Sequence, residues 1–226
     1  ELVIDASAFP PEGGNSAARL MAAAHGLGWR RLTAYGWRGG RFAACGLGPC
    51  TTGVRIDLYG DVGDYVASGI DGAEVHIHGD AQDQVAQILK DGKLVVHGDV
   101  GQTFLYGAKG GTIFVAGSAA GRPLINGVGR PRVVINGTCL DYLAESFMAG
   151  DPLAGGGFAV LNGVAFDEQG RLYRVMVNGG GEGFEDEFPE TAGWALLPVT
   201  AAIRVCEMIN TPEGLAGPHA DELFRG

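Results

Sequence analysis

Three of the five histidines in this 226-residue chain, His76, His78 and His97, have a spacing that can bring imidazoles together. His76 and His78 are two apart, so on a strand they share one face. His78 and His97 are nineteen apart, the period of a repeat that runs through the chain. Stacked coils of that repeat put them in one column, ~5 Å apart. Imidazoles so placed can bind a metal. The repeat places no cysteine or further carboxylate to complete such a site. The neighbouring outward column carries Val95, Phe114 and Val134, and an outward column that turns apolar usually meets a partner. The expected arrangement is an outer ladder of His76, His78, Val95, His97, Phe114 and Val134 that faces a partner, with no metal, cofactor or catalytic residue expected in this chain.

Other chemistries fail on spacing. Cys45 and Cys50 are five apart, wrong for a Cys-x-x-Cys pair, and Cys139 and Cys206 are isolated; all four read as plain thiols. Gly46-Leu47-Gly48 and Gly127-Val128-Gly129 lack the third glycine of a dinucleotide loop, and no Gly-Lys-Ser/Thr phosphate loop occurs. Asp61, Asp80 and Asp99 form a ladder, but calcium-binding β-rolls repeat faster and with denser aspartate, so corner capping is the expected role. No Gly-x-Ser-x-Gly is present. Asp141, Glu145 and the acidic stretch at 179–190 offer carboxylates without a spacing that pairs them as acid and base.

The element that carries the histidines recurs. It reads Ile56-Asp57-Leu58-Tyr59-Gly60-Asp61, then Val75-His76-Ile77-His78-Gly79-Asp80, Leu94-Val95-Val96-His97-Gly98-Asp99, Ile113-Phe114-Val115-Ala116-Gly117-Ser118 and Val133-Val134-Ile135-Asn136-Gly137-Thr138. The closing glycines Gly60, Gly79, Gly98, Gly117 and Gly137 are spaced by 19, 19, 19 and 20, and a weaker copy ends at Gly163. Gly72, Gly92 and Gly111 stand before three of the strands. The columns two and four before the closing glycine are wholly aliphatic, so they face inward together. Nineteen residues are too few for a strand-helix-strand crossover and suit one coil of a parallel β-helix, each coil ~4.8 Å above the last. Glycine is expected at the corners for left-handed backbone angles, and the following aspartate to bond its own turn. Left-handed β-helices repeat in hexapeptides, which fits nineteen poorly, and the crossover rule favours right-handed winding. The fold class expected is therefore all-β, a right-handed parallel β-helix with short capping helices at its ends.

Three segments follow: an N-terminal cap at 1–52 with one helix, five to six coils at 53–165, and an irregular C-terminal arm at 166–226 with a short helix. The first helix spans about 15–25, with Asn15 or Ser16 as N-cap and Gly26 as its stop. The second is expected at 199–209, with Val199, Ile203, Cys206 and Ile209 on one face. Glycine fills 40 positions and 46 % of residues are hydrophobic, enough for a real core. A net charge of −10 argues against nucleic acid or an anionic membrane surface as partner. With no apolar run of membrane length and no signal peptide visible, a cytoplasmic location is expected.

At Gly60-Asp61-Val62-Gly63-Asp64-Tyr65, Gly79-Asp80, Gly98-Asp99 and Leu105-Tyr106-Gly107-Ala108-Lys109-Gly110-Gly111, the chain resembles the Gly-x-Gly-x-Gly β-helix domain at the C-terminal end of the glutamate synthase large subunit. The same module occurs in one subunit of formylmethanofuran dehydrogenase. The runs 121–131 (Gly-Arg-Pro-Leu-Ile-Asn-Gly-Val-Gly-Arg-Pro) and 135–150 resemble the stand-alone version of split glutamate synthases and N-methylglutamate synthases. The likeness covers about 53–165 well, 1–52 loosely, and fades after about 175. It implies a scaffold without catalytic residues of its own. The chemistry would lie in separate partner polypeptides, a glutamine amidotransferase-type chain and a synthase chain carrying FMN and an iron–sulfur cluster. Two alternatives stand beside it. One is the corresponding scaffold of a molybdenum or tungsten formylmethanofuran dehydrogenase or formyltransferase/hydrolase complex. The other, in a different class, is a self-contained β-helix enzyme such as a polysaccharide lyase or acyltransferase.

Overall fold

The computed structural model of the chain describes residues 1–140, 142–166, 172–177, 186, 189 and 195–197. The second expected helix and most of the acidic stretch lie outside the described residues, as does Asp141. The aliphatic columns build strands as their alternation requires: β1 (Leu2–Asp5), β2 (Arg31–Gly40), β3 (Arg55–Val62), β4 (Asp71–His78), β5 (Asp91–Val96), β6 (Thr112–Val115), β7 (Arg132–Ile135) and β8 (Phe158–Phe166). Each pairs in parallel with the next, so eight strands form one all-parallel sheet of a β-solenoid. β9 (Leu172–Val177) pairs antiparallel with β8, and β10 (Ala195–Leu197) continues parallel to β9. The ladder thus begins before residue 53. Leu32 registers with Ile56 and Ala34 with Leu58, each 24 residues on, so the longer coil between β2 and β3 departs from the nineteen-residue period that would have marked β2.

The register stacks Ile56, Val75, Leu94, Ile113 and Val133 in one inward column and Leu58, Ile77, Val96, Val115 and Ile135 in the other. All ten are buried. No coil buries its aliphatic side chains alone, so the columns form one core shared by neighbours. Helix α1 (Ala17–Gly26) closes over it with Ala17, Met21 and Ala24. Ser16 is its N-cap, its side chain accepting from the Arg19 N–H.

The corners work differently from the sequence expectation. Of the five closing glycines only Gly60 has a positive φ, 117°. The other four are glycine because the coil beneath approaches too closely for a Cβ: one on Gly79 would lie 2.6 Å from the Gly60 carbonyl oxygen, and one on Gly98 2.8 Å from that of Gly79. The following aspartates do not bond their own turn. Asp61 accepts from the Asp80 N–H at 3.0 Å, Asp80 from the Asp99 N–H at 2.8 Å and Asp99 from the Ser118 N–H at 2.7 Å. Each carboxylate therefore caps the next coil, and glycine leaves the room for it to reach.

The side of the coil after the corner has no counterpart in the sequence reading. Coil by coil it runs Phe42, Ala44, Gly46; Tyr65, Ala67, Gly69; Gln84, Ala86, Ile88; Thr103, Leu105, Gly107; Arg122, Leu124, Asn126; Tyr142, Ala144, Ser146. Every one of these has φ between 49° and 71°. Alternate residues are left-handed, most of them not glycine, at about 1–2 kcal/mol each. Inter-coil hydrogen bonds offset the strain: Tyr65 N–H to Asp83 O, Ala67 N–H to Ala43 O and Gly69 N–H to Gln87 O, at 3.1, 2.8 and 2.9 Å. Ile88 is the poorest fit, β-branched and 43 % exposed with φ 55°. Ile88→Asn is expected to stabilise the protein by about 0.5–1 kcal/mol, because asparagine tolerates this conformation and little apolar burial is lost. Urea denaturation checks it; a loss of stability would show the conformation is unstrained.

Candidate functional site

The outward face of β3–β7 gathers the residues the sequence singled out. Asp57, His76, Val95, Phe114 and Val134 register as one column, and Tyr59 pairs with His78 in the next. The chain continues that second column through His97, whose N–H bonds the Ile77 carbonyl at 2.9 Å. Val95 and Val134 are half-buried, while Phe114 is 41 % exposed. The six expected partner-facing residues thus share one surface.

Here the histidines meet. The His78 and His97 rings stack with centroids 4.6 Å apart and planes 14° from parallel. Tyr59 stacks on the other side of His78 at 4.1 Å. His76 lies 6.1 Å from His78 and 6.3 Å from His97, centroid to centroid. One ligand nitrogen from each of the three falls within 4.8 Å of the others.

Contrary to the sequence reading, the ladder does supply carboxylates. Glu74 Oε1 lies 2.7 Å from His76 Nε2, and Asp57 Oδ1 lies 3.2 Å from His78 Nε2. The strand brought them: Asp57 precedes His76 in its own column, and Glu74 is two residues from His76 on the same face. The repeat contains this signal, since Asp57 stands in that column; what it lacks is the reach of each side chain. Both acids are themselves held. Arg55 grips Asp57 through two N–H groups at 2.8 and 3.0 Å. Lys93 reaches Glu74 at 3.3 Å and Arg55 reaches it at 3.4 Å.

The electrostatics follow. The Arg55 hydrogen bond, helped by His78, holds the Asp57 carboxyl below its ordinary value. The His76 hydrogen bond, with Lys93 behind it, does the same for Glu74. His97 is pushed down, first by desolvation, then by the charges of His78 and His76, against a smaller opposite pull from Asp57. A histidine whose folded pKa is depressed binds its proton more readily in the unfolded chain, so its contribution is present above the unfolded value of about 6.5 and is lost as pH falls from there through the lower folded value. Asp57 and Glu74 add a second loss, starting near about pH 4. Stability is therefore expected to decline in two steps on acidification, and His97→Gln to remove the upper one. Thermal melting across pH checks this; an unchanged upper step in the variant would contradict it.

Cys45 and Cys50 are free thiols away from the ladder, and burial pushes the Cys45 thiol up to about 11, its Sγ donating to the Tyr65 carbonyl at 2.9 Å. Among the described residues no helix is long and apolar enough to cross a membrane. Neither a curated protein nor a solved structure matches the chain. A family model described as the GXGXG motif matches residues 30–167, more than half of the chain. That span holds β2–β8, every corner glycine and the histidine ladder. The protein belongs to the GXGXG-motif family.

Proposed function

We propose that this chain is a non-catalytic structural subunit of a glutamate-synthase-like complex, in which glutamate or N-methylglutamate is made. It would hold a glutamine amidotransferase-type chain against a synthase chain that carries FMN and an iron–sulfur cluster. The supporting observation is the pairing of family membership with an outward column, Val95, Phe114 and Val134, that a solvated sheet face would fill with polar residues. A stack of coils tied by main-chain hydrogen bonds keeps such a face rigid. Two enzymes that pass ammonia between them need fixed separation, which a solenoid can impose. FMN, iron and sulfur chemistry would belong to the partners, and this chain would supply docking.

The test is affinity purification of the chain from its native host, with partners identified and flavin and metals measured. Flavin and iron arriving with an amidotransferase-type chain is the expected result. Molybdenum or tungsten in their place would favour the formyl-transferring complex, and a colourless chain that catalyses alone would overturn the scaffold reading.

A further inference from the structure

We infer that His76, His78 and His97 form a binding site for a divalent transition-metal ion, zinc foremost, held by one ring nitrogen from each. The three ligand nitrogens already fall within 4.8 Å of one another. Zinc-nitrogen bonds of about 2.0–2.1 Å set tetrahedral ligand atoms roughly 3.3 Å apart. Binding closes the nitrogens by at most about 1.5 Å and turns the His78 and His97 rings out of their stack, 14° from parallel, so that their in-plane lone pairs converge on the ion. The backbone beneath does not need to move, since β4 and the strand before His97 are locked by the inter-coil ladder.

The surroundings match what a metal-binding imidazole has around it. Histidine ligands commonly give their other N–H to a carboxylate, which fixes the tautomer and raises ligand basicity. His76 and His78 each have a carboxylate on Nε2, from Glu74 and Asp57, leaving Nδ1 with its lone pair. Arg55 and Lys93 hold those carboxylates in turn. An all-imidazole set selects zinc, copper, nickel or cobalt over magnesium or calcium, which prefer oxygen. Three protein ligands leave a fourth position open to water or to a partner's side chain. The site is independent of the scaffold proposal and is tested on the isolated full chain.

Zinc alone is titrated into the metal-free chain by calorimetry, with proton–nitrogen NMR of the histidine rings. Binding of one zinc per chain is expected, shifting the His76, His78 and His97 ring signals together. Cobalt(II) in its place is expected to give the visible absorption of a tetrahedral ion. His78→Ala should weaken binding more than about 100-fold, and Asp57→Asn about 10- to 100-fold, as loss of a supporting carboxylate does elsewhere. No zinc uptake, uptake that leaves those three ring signals unmoved, or equal affinity in a folded His78→Ala variant overturns the inference. The NMR result stands on the wild-type chain, so it decides even if a variant fails to fold.

Discussion

Gly98→Ala is expected to destabilise the solenoid by about 3 kcal/mol or more, while Gly69→Ala costs about 1 kcal/mol or less. The contrast separates two reasons for glycine. Gly69 has φ 68°, yet a Cβ there meets nothing within 4 Å. Its column counterparts Ile88, Asn126 and Ser146 carry side chains in the same conformation. Gly98 lacks a positive φ, but its Cβ would lie 2.8 Å from the Gly79 carbonyl oxygen, 2.9 Å from the Gly79 carbonyl carbon, and closer still to Asp80 Oδ1. Backbone cannot yield without parting two coils, and the displaced Asp80 would release the Asp99 N–H it holds at 2.8 Å. Overlap in a packed region costs about 1–3 kcal/mol, and an orphaned hydrogen-bonding group about 1–3 more. Urea denaturation of the two variants decides it. Equal losses would mean that close approach of the coil beneath does not select glycine at the corner.

Phe104→Ala is expected to remove about 4 kcal/mol and lower the melting temperature by about 10 °C. Phe104 is among the largest fully buried side chains, with 0 % exposure. Its position one coil earlier is Val85, also fully buried. The Phe104 carbonyl accepts the Leu124 N–H at 2.7 Å, and Leu105 N–H bonds Val85 O at 2.9 Å. The coils above and below are thus fixed by main-chain bonds and cannot collapse into the space left by the ring, so the cavity persists. Calorimetric melting measures the loss. A shift of only a few degrees would show that the coil repacks, contrary to a rigid stack.

The parallel strands were legible because their columns repeat: Ile56, Val75, Leu94, Ile113 and Val133 are alike in kind and evenly spaced, and register follows from that. The left-handed segments were not. Gln84, Val85, Ala86, Gln87 and Ile88 carry neither glycine nor asparagine, so nothing local announces φ near 56° at alternate residues. Only the inter-coil ladder makes that conformation favourable. Strand β2 was hidden for another reason, its coil being longer than the rest, with Leu32 registering with Ile56, 24 residues on. In the candidate site, the histidine column was readable because period and alternation place it. The carboxylates were not, because Glu74 and Asp57 reach the rings through side-chain length and direction, which period alone does not encode.

The proposed function puts partner docking on the outward column of β5–β7. The most direct measurement compares native-host purification of the wild-type chain with that of a Phe114→Asp, Val134→Asp double variant, reading partner chains, flavin and iron. Both positions point away from the core, Phe114 being 41 % exposed, so the variant's melting is expected to be close to wild type. Partners, flavin and iron are expected with the wild type, and their loss, about tenfold or more, with the folded variant. Undiminished recovery with the folded variant, or a wild-type chain that comes out alone, would contradict it.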